Sequence, residues 1–162
     1  MRQRFNNGKI EVDFPEDFAL LDEEGRKAYV MQKKQGSHRR FWDVEAARSE
    51  ERQITLGVGF LKRPLLYGRA ASLESLRDSH MQATLKATDG GVLLAKTYHV
   101  IDGRPACGFR YRHVLKGKDL VSENVLVRTR DFNYMIPFSC RAEQVDQADA
   151  VFEEFLSSVK FS

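Results

Sequence analysis

The stretch GGVLLAKTYHVIDGRPACGFRYRHVLKGKDLVSENVLVRTRDFNYMIPFSC, residues 90–140, reads as four consecutive β-strands joined by tight turns. Val92–Ile101 is the first strand. Asp102-Gly103 then supplies a favoured two-residue hairpin turn, because glycine accepts positive φ without a steric cost. Pro105–Leu115 follows, and Lys116-Gly117-Lys118-Asp119 turns the chain again. Leu120–Thr129 is the third strand, and Arg130-Asp131 leads into Phe132–Ser139. Each run is rich in Val, Tyr, Phe and Thr, which suit a pleated surface.

These turns set a register. Ile101 faces Arg104, Tyr98 pairs with Cys107 and Leu94 with Tyr111. Side chains alternate across a strand, so Val92, Leu94, Tyr98, Cys107, Phe109, Tyr111 and His113 share one face. Leu93, Ala95, Arg110, Arg112, Val125, Tyr134, Ile136 and Phe138 share the other. Both faces are partly apolar, whereas a sheet with one wet side carries one clean polar face. Helices or strands are therefore expected on both sides.

The flanking segments supply them. Before the meander, Ser72 caps a helix running to about Ala87, and Asp89-Gly90-Gly91 stops it. Ile54, Leu56, Val58 and Phe60 alternate with polar or small residues, which predicts a strand over 53–61. Gly57 and Gly59 leave one face of that strand bare, for a packed helix or for a ligand. Arg40–Ala46 reads as a strand, and Glu45–Arg52 is charged enough for a turn or a short helical piece. Gly8–Phe14 alternates as a first strand ended by Pro15. Asp22 caps a short helix over about Glu23–Gln32, followed by a polar loop at 33–37. After the meander, Ala148, Val151, Phe152, Phe155, Leu156 and Val159 fall at helical spacing within Gln144–Val159. The expected class is α+β: an α/β/α sandwich with a mainly antiparallel sheet of six or seven strands and helices on both faces.

The 162 residues suit one domain, 1–162, with a full hydrophobic core. A net charge of +3 is too small to argue for nucleic-acid binding. Cys107 and Cys140 read as reduced core thiols. No run is long and apolar enough for a membrane helix, and no secretory leader is visible, so a cytoplasmic location is expected.

Ile10-Glu11-Val12-Asp13-Phe14-Pro15, the Ser72-started helix, Asn133-Tyr134-Met135-Ile136-Pro137-Phe138 and the Phe-rich closing helix ending in Ser and Lys together resemble the PsbP/Mog-like family. The resemblance is one of pattern and covers nearly the whole chain. It implies a binding, assembly or adaptor module, as in many bacterial members, and it brings no catalytic residues with it.

Candidate chemistry is sparse. His38, His80, His99 and His113 lack ligand spacing, and His99 and His113 fall on opposite faces, so no metal site is expected. Cys107 and His113 share a face but lie roughly 20 Å apart at ordinary strand rise, too far for a thiol–imidazole pair. Arg110 and Arg112 project from a central strand onto an apolar face, where a charge needs a partner or water. In this register Arg112 faces Glu123 and Arg110 faces Val125. Arg110 is then a solvated or ion-paired arginine, or an anion-binding group in a pocket. Trp42 and Phe41, beside Arg39-Arg40, form a candidate partner surface.

The functional expectation is a non-enzymatic protein-binding or adaptor module with a protein partner or a second copy of itself, and with no cofactor. The alternative is a small-ligand-binding protein or enzyme with a pocket between sheet and helix, near Arg110, Tyr111 and Gly57/Gly59.

Overall fold

The computed structural model describes residues 1–26, 42–63 and 71–162. In chain order the strands are β1 (Arg2–Phe5), β2 (Ile10–Asp13), β3 (Ala19–Leu20), β4 (Asp43–Ser49) and β5 (Ile54–Lys62), followed by helix α1 (Leu73–Ala87). Then come β6 (Asp89–Ile101), β7 (Arg104–Leu115), β8 (Lys118–Arg128), β9 (Phe132–Arg141), helix α2 (Val145–Ser158) and β10 (Lys160–Phe161). Seven strands make one sheet in the order β3-β4-β5-β9-β8-β7-β6, with every neighbouring pair antiparallel. The α+β class and the antiparallel seven-stranded sheet thus stand as expected.

A second, three-stranded sheet, β1-β2-β10, was not anticipated. Its signal is weak in sequence because Arg2 and Arg4 interrupt the apolar pattern of β1; both reach Glu11 on the neighbouring strand, at 3.3 and 2.7 Å. The β1–β2 turn carries positive φ at Asn6, Asn7 and Gly8, which Asn and Gly tolerate best.

The core divides by strand alternation. Val125, Ile136 and Phe138 pack with Phe152, Phe155 and Leu156 of α2, with Ile10 and Val12 of the small sheet and with Phe14 just after β2. Phe138 stacks on Phe152 at 4.6 Å and Phe14 on Phe155 at 4.9 Å. Fully burying such a side chain contributes about 1.5–3 kcal/mol. The alternate residues Leu126 and Met135 pack with Trp42, Val44 and the α1 residues Leu73 and Leu76, while Phe109 and Tyr111 meet Met81 and Leu85. Helix α1 begins as expected, with Ser72 Oγ accepting from the Ser75 amide at 3.0 Å.

Three expectations on register and boundaries are corrected. The β7–β8 turn is two residues long, because Lys116 and Gly117 both take positive φ (52° and 75°), the geometry of a tight hairpin. Leu115 therefore pairs with Lys118, Arg110 with Glu123, and Arg112 with Val121, in place of the Arg112–Glu123 and Arg110–Val125 pairs. A two-residue slip leaves every face unchanged. On β6 an irregularity between Leu93 and Ala95 makes Leu93, and not Leu94, the partner of Tyr111. Finally, the 45–52 segment is strand as far as Ser49. Its charges are held in place: Arg26 donates to Glu45, and Arg48 donates to Thr55 Oγ1 at 2.8 Å.

Near the N-terminus, residues 23–26 are helical and Asp22 Oδ1 accepts from the Gly25 amide at 2.8 Å, so Asp22 caps as expected. The rest of that expected helix, the loop at 33–37, His38, Arg39-Arg40 and Phe41 lie outside the described residues.

Candidate functional site

The Lys116-Gly117 turn lines up residues from five strands in one row. Tyr111 pairs with Ser122, Ser122 with Ser139, Ser139 with Thr55, and Thr55 with Arg48. Cross-strand partners share a face, so three hydroxyls sit side by side between a tyrosine and an arginine. The next row toward the hairpin is His113, Leu120 and Arg141, and then Leu115 and Lys118. These rows floor a cavity of about 350 Å³, to whose walls α1 contributes no residue.

Among the described residues, the lining holds the cations Arg48, Lys116, Lys118 and Arg141 and no carboxylate. Arg48 is fixed by Thr55, by Gln53 Oε1 at 2.9 Å and by Glu50 at 3.1 Å. Arg141 has Glu143 at 3.6 Å. On the floor, His113 Nε2 lies 2.8 Å from Ser122 Oγ, and its ring stacks on Tyr111 at 4.9 Å. Burial pushes the Tyr111 phenol up to about 12, despite the opposing pull of Ser122 and Asn124, so it stays a neutral hydrogen-bonding hydroxyl. Asn124 is 1% exposed, and its side chain is a hydrogen-bonding neighbour of the Tyr111 hydroxyl. Sequence reasoning anticipated Tyr111 here. It missed Arg48, Thr55, Ser122 and Ser139, which converge only once the register is known.

Arg110 stands on the opposite face in a buried polar cluster. Its Nε donates to Glu123 Oε1 at 2.9 Å, and its Nη2 lies 2.6 Å from Asp149 Oδ1 on α2. The other Glu123 oxygen accepts from Thr97 at 3.1 Å and lies 2.8 Å from His99 Nε2. The ion-paired reading of Arg110 therefore holds, and the pocket does not contain it. Arg112 is half exposed and reaches Asp119 at 3.1 Å.

The remaining sequence candidates are structural. Trp42 is buried, 7% exposed, between Val44, Leu126 and Met135, so it cannot serve as an exposed anchor. Gly57 is bare for neither helix nor ligand. A Cβ there would lie 2.8 Å from the Glu45 carbonyl oxygen and 3.1 Å from Pro137; at Gly59 the near neighbours are Met135 and Trp42. The Cys107 and Cys140 thiols are free and buried.

Apolar surface gathers instead on β6, the last strand of the large sheet. Val92, Leu94, Tyr98 and Val100 are each at least half exposed, Val100 at 76%, with Leu93 and Val114 alongside. Among the described residues β6 pairs only with β7, which leaves its outer backbone edge open. From Ala95 to Ile101 that edge is regular, with no register shift. No described helix is long and apolar enough to cross a membrane.

No family model and no curated protein matches the chain. Among solved structures it is similar to cyanobacterial PsbP (CyanoP) from Synechocystis, with a TM-score of 0.68 and 15% identity over all of this chain and 92% of that one. It is also similar to LpqN of Mycobacterium tuberculosis, a protein involved in cell envelope biogenesis, at a TM-score of 0.65 and 11% identity over all of this chain and 90% of LpqN. A Pseudomonas aeruginosa protein of unknown function aligns at a TM-score of 0.54 and 12% identity, over 95% of this chain and 91% of that one. At such identities the likeness is one of fold.

Proposed function

Starting from a PsbP-like fold with an open, apolar edge strand, we propose that this chain is a non-enzymatic protein-binding module that takes an extended segment of its partner alongside β6. The observation that carries this reading is the exposure of Tyr98 and Val100 on a regular edge that no described strand pairs. Proteins ordinarily blunt such edges with charge, proline or cover, and β6 between Gly90 and Ile101 has Lys96 as its single Lys, Arg, Asp or Glu. Main-chain hydrogen bonds from an added strand supply affinity, and the alternating side chains supply selectivity. The buried, reduced thiols are compatible with a cytoplasmic setting.

The test pairs the wild-type chain with a Tyr98→Lys/Val100→Lys variant as bait in the source cells, followed by native mass spectrometry and amide exchange of the purified complex. A stoichiometric partner that protects the Ala95–Ile101 amides and is lost in the variant supports the reading. A partner held equally by both baits, or protection confined elsewhere, refutes it. A second copy in the partner's place identifies the module as a self-pairing dimer.

A further inference from the structure

We propose that the cavity on the Tyr111–Arg48 row binds a small organic anion, a carboxylate or a phosphate monoester carried on an apolar or aromatic body. This goes beyond the β6 reading and stands whether or not that edge binds a partner. Three independent observations converge on it.

The first is charge. Arg48, Lys116, Lys118 and Arg141 line one concavity in which no described residue is a carboxylate. Glu50 and Glu143 stand on Arg48 and Arg141 from outside the lining, so they partly offset those two cations. Among the described residues, Lys116 and Lys118 have no acidic partner. A concave wall of one sign focuses the field on its mouth and concentrates ions of the opposite sign there.

The second is a row of neutral hydrogen-bonding groups. The side chains of Ser122, Ser139, Thr55, Asn124 and Tyr111 line the cavity, with the Asn124 side chain hydrogen-bonded to the neutral Tyr111 phenol. A row of neutral donors beneath a cationic rim suits an anionic head group.

The third is shape and wall chemistry. About 350 Å³ is at the small end of ordinary ligand sites, which run to roughly 300–1,000 Å³. Leu115 and Leu120 give the hairpin side an apolar wall, and Leu115 is 39% exposed. A bare inorganic ion would leave that wall unused, whereas a ring or short chain covers it.

The test is titration of the ¹⁵N-labelled protein with phenyl phosphate, with benzoate, and with phenol as the uncharged control. The proposal expects saturable shifts at Ser122, Asn124, Ser139 and Lys118, at a dissociation constant of about 1 mM or tighter for at least one anion. The tighter of the two identifies the head group as phosphate or carboxylate. Lys116 and Lys118 are exposed on a hairpin, so a Lys116→Ala/Lys118→Ala variant keeps the folded spectrum. Loss of charge-assisted contacts there weakens binding by about tenfold or more. Phenol binding as tightly as the anions, an unchanged constant in the variant, or no saturable shift with either anion overturns the proposal.

Discussion

Arg110 Nε donates to Glu123 Oε1 at 2.9 Å across the β7–β8 pair, on a carboxylate that is only 1% exposed. The same guanidinium extends to Asp149 of α2, so one side chain ties the sheet to the closing helix. Removing one partner of a buried pair leaves an uncompensated charge. Arg110→Ala is therefore expected to cost about 3–5 kcal/mol in urea unfolding, whereas Arg110→Met/Glu123→Leu recovers much of the loss. A loss below about 1 kcal/mol for the single variant would show that water already reaches the cluster.

The same cluster gives stability a pH dependence. Glu123 accepts a hydrogen bond from His99 and raises its pKa above the ordinary 6.5. The His99 contribution is whole below 6.5 and is lost as pH climbs through the raised folded value. Burial alone would push Glu123 up, but the His99 hydrogen bond and the Arg110 charge hold it below its ordinary 4.5. Its contribution is present above 4.5 and is lost as pH falls. The stability difference between wild type and His99→Gln, measured by urea midpoints, should shrink on raising the pH from 6 to 9. A constant difference would refute the coupling.

Two glycines should fail for different reasons. Gly117 has φ of +75° and nothing within 4 Å of an added Cβ, so Gly117→Ala costs about 1–2 kcal/mol through backbone strain alone. An added Cβ at Gly57 meets the Glu45 carbonyl oxygen at 2.8 Å. Gly57→Ala forces strands β4 and β5 apart, at about 1–3 kcal/mol. Denaturant unfolding gives the magnitudes, and amide shifts separate the causes: local for Gly117, spread along β4 for Gly57.

The thiols should be silent in the folded chain. Burial raises Cys107 and pushes Cys140 up to about 11, so neither is a thiolate near neutral pH. An aromatic disulfide reagent at pH 8 should react at the rate of unfolding and accelerate in urea. Rapid modification of either thiol under native conditions would contradict this assignment.

The meander was legible because each strand carries its own alternation and Asp102-Gly103 is a strong local turn signal. Faces were legible for the same reason on β7 to β9, and they survived the slip at Lys116-Gly117, since two residues are one full side-chain period; on β6 the irregularity puts Leu93 on the Tyr111 face and Val92 on the Arg112 face, the reverse of the expectation. The register there was not, because Lys-Gly-Lys-Asp suits a two-residue or a four-residue turn, and positive φ at Lys116 leaves no mark in the sequence. That slip decides whether Arg110 or Arg112 meets Glu123. Nor could local pattern reveal the Arg48–Thr55–Ser139–Ser122–Tyr111 row, whose members come from five strands. The expected second strand stopped at Ala46, and its continuation to Ser49 was hidden by the charged run around Glu45 and Arg48, whose charges are satisfied by Arg26, Gln53 and Glu50.

The strand order also sets a timetable. Strands β6 to β9 follow one another in sequence and pair through short turns, so their ladders close small loops. The β5–β9 ladder joins Thr55 to Ser139 and Lys62 to Phe132, with α1 and the whole meander between them. Loop-closure entropy grows with separation, and distant pairings form slowly. The meander, like the β4–β5 hairpin, is thus able to assemble from neighbours alone. The β5–β9 seam joins the two later, and in pulse-labelled refolding the amides of β7 and β8 should gain protection before the amides of β5 that bond to β9.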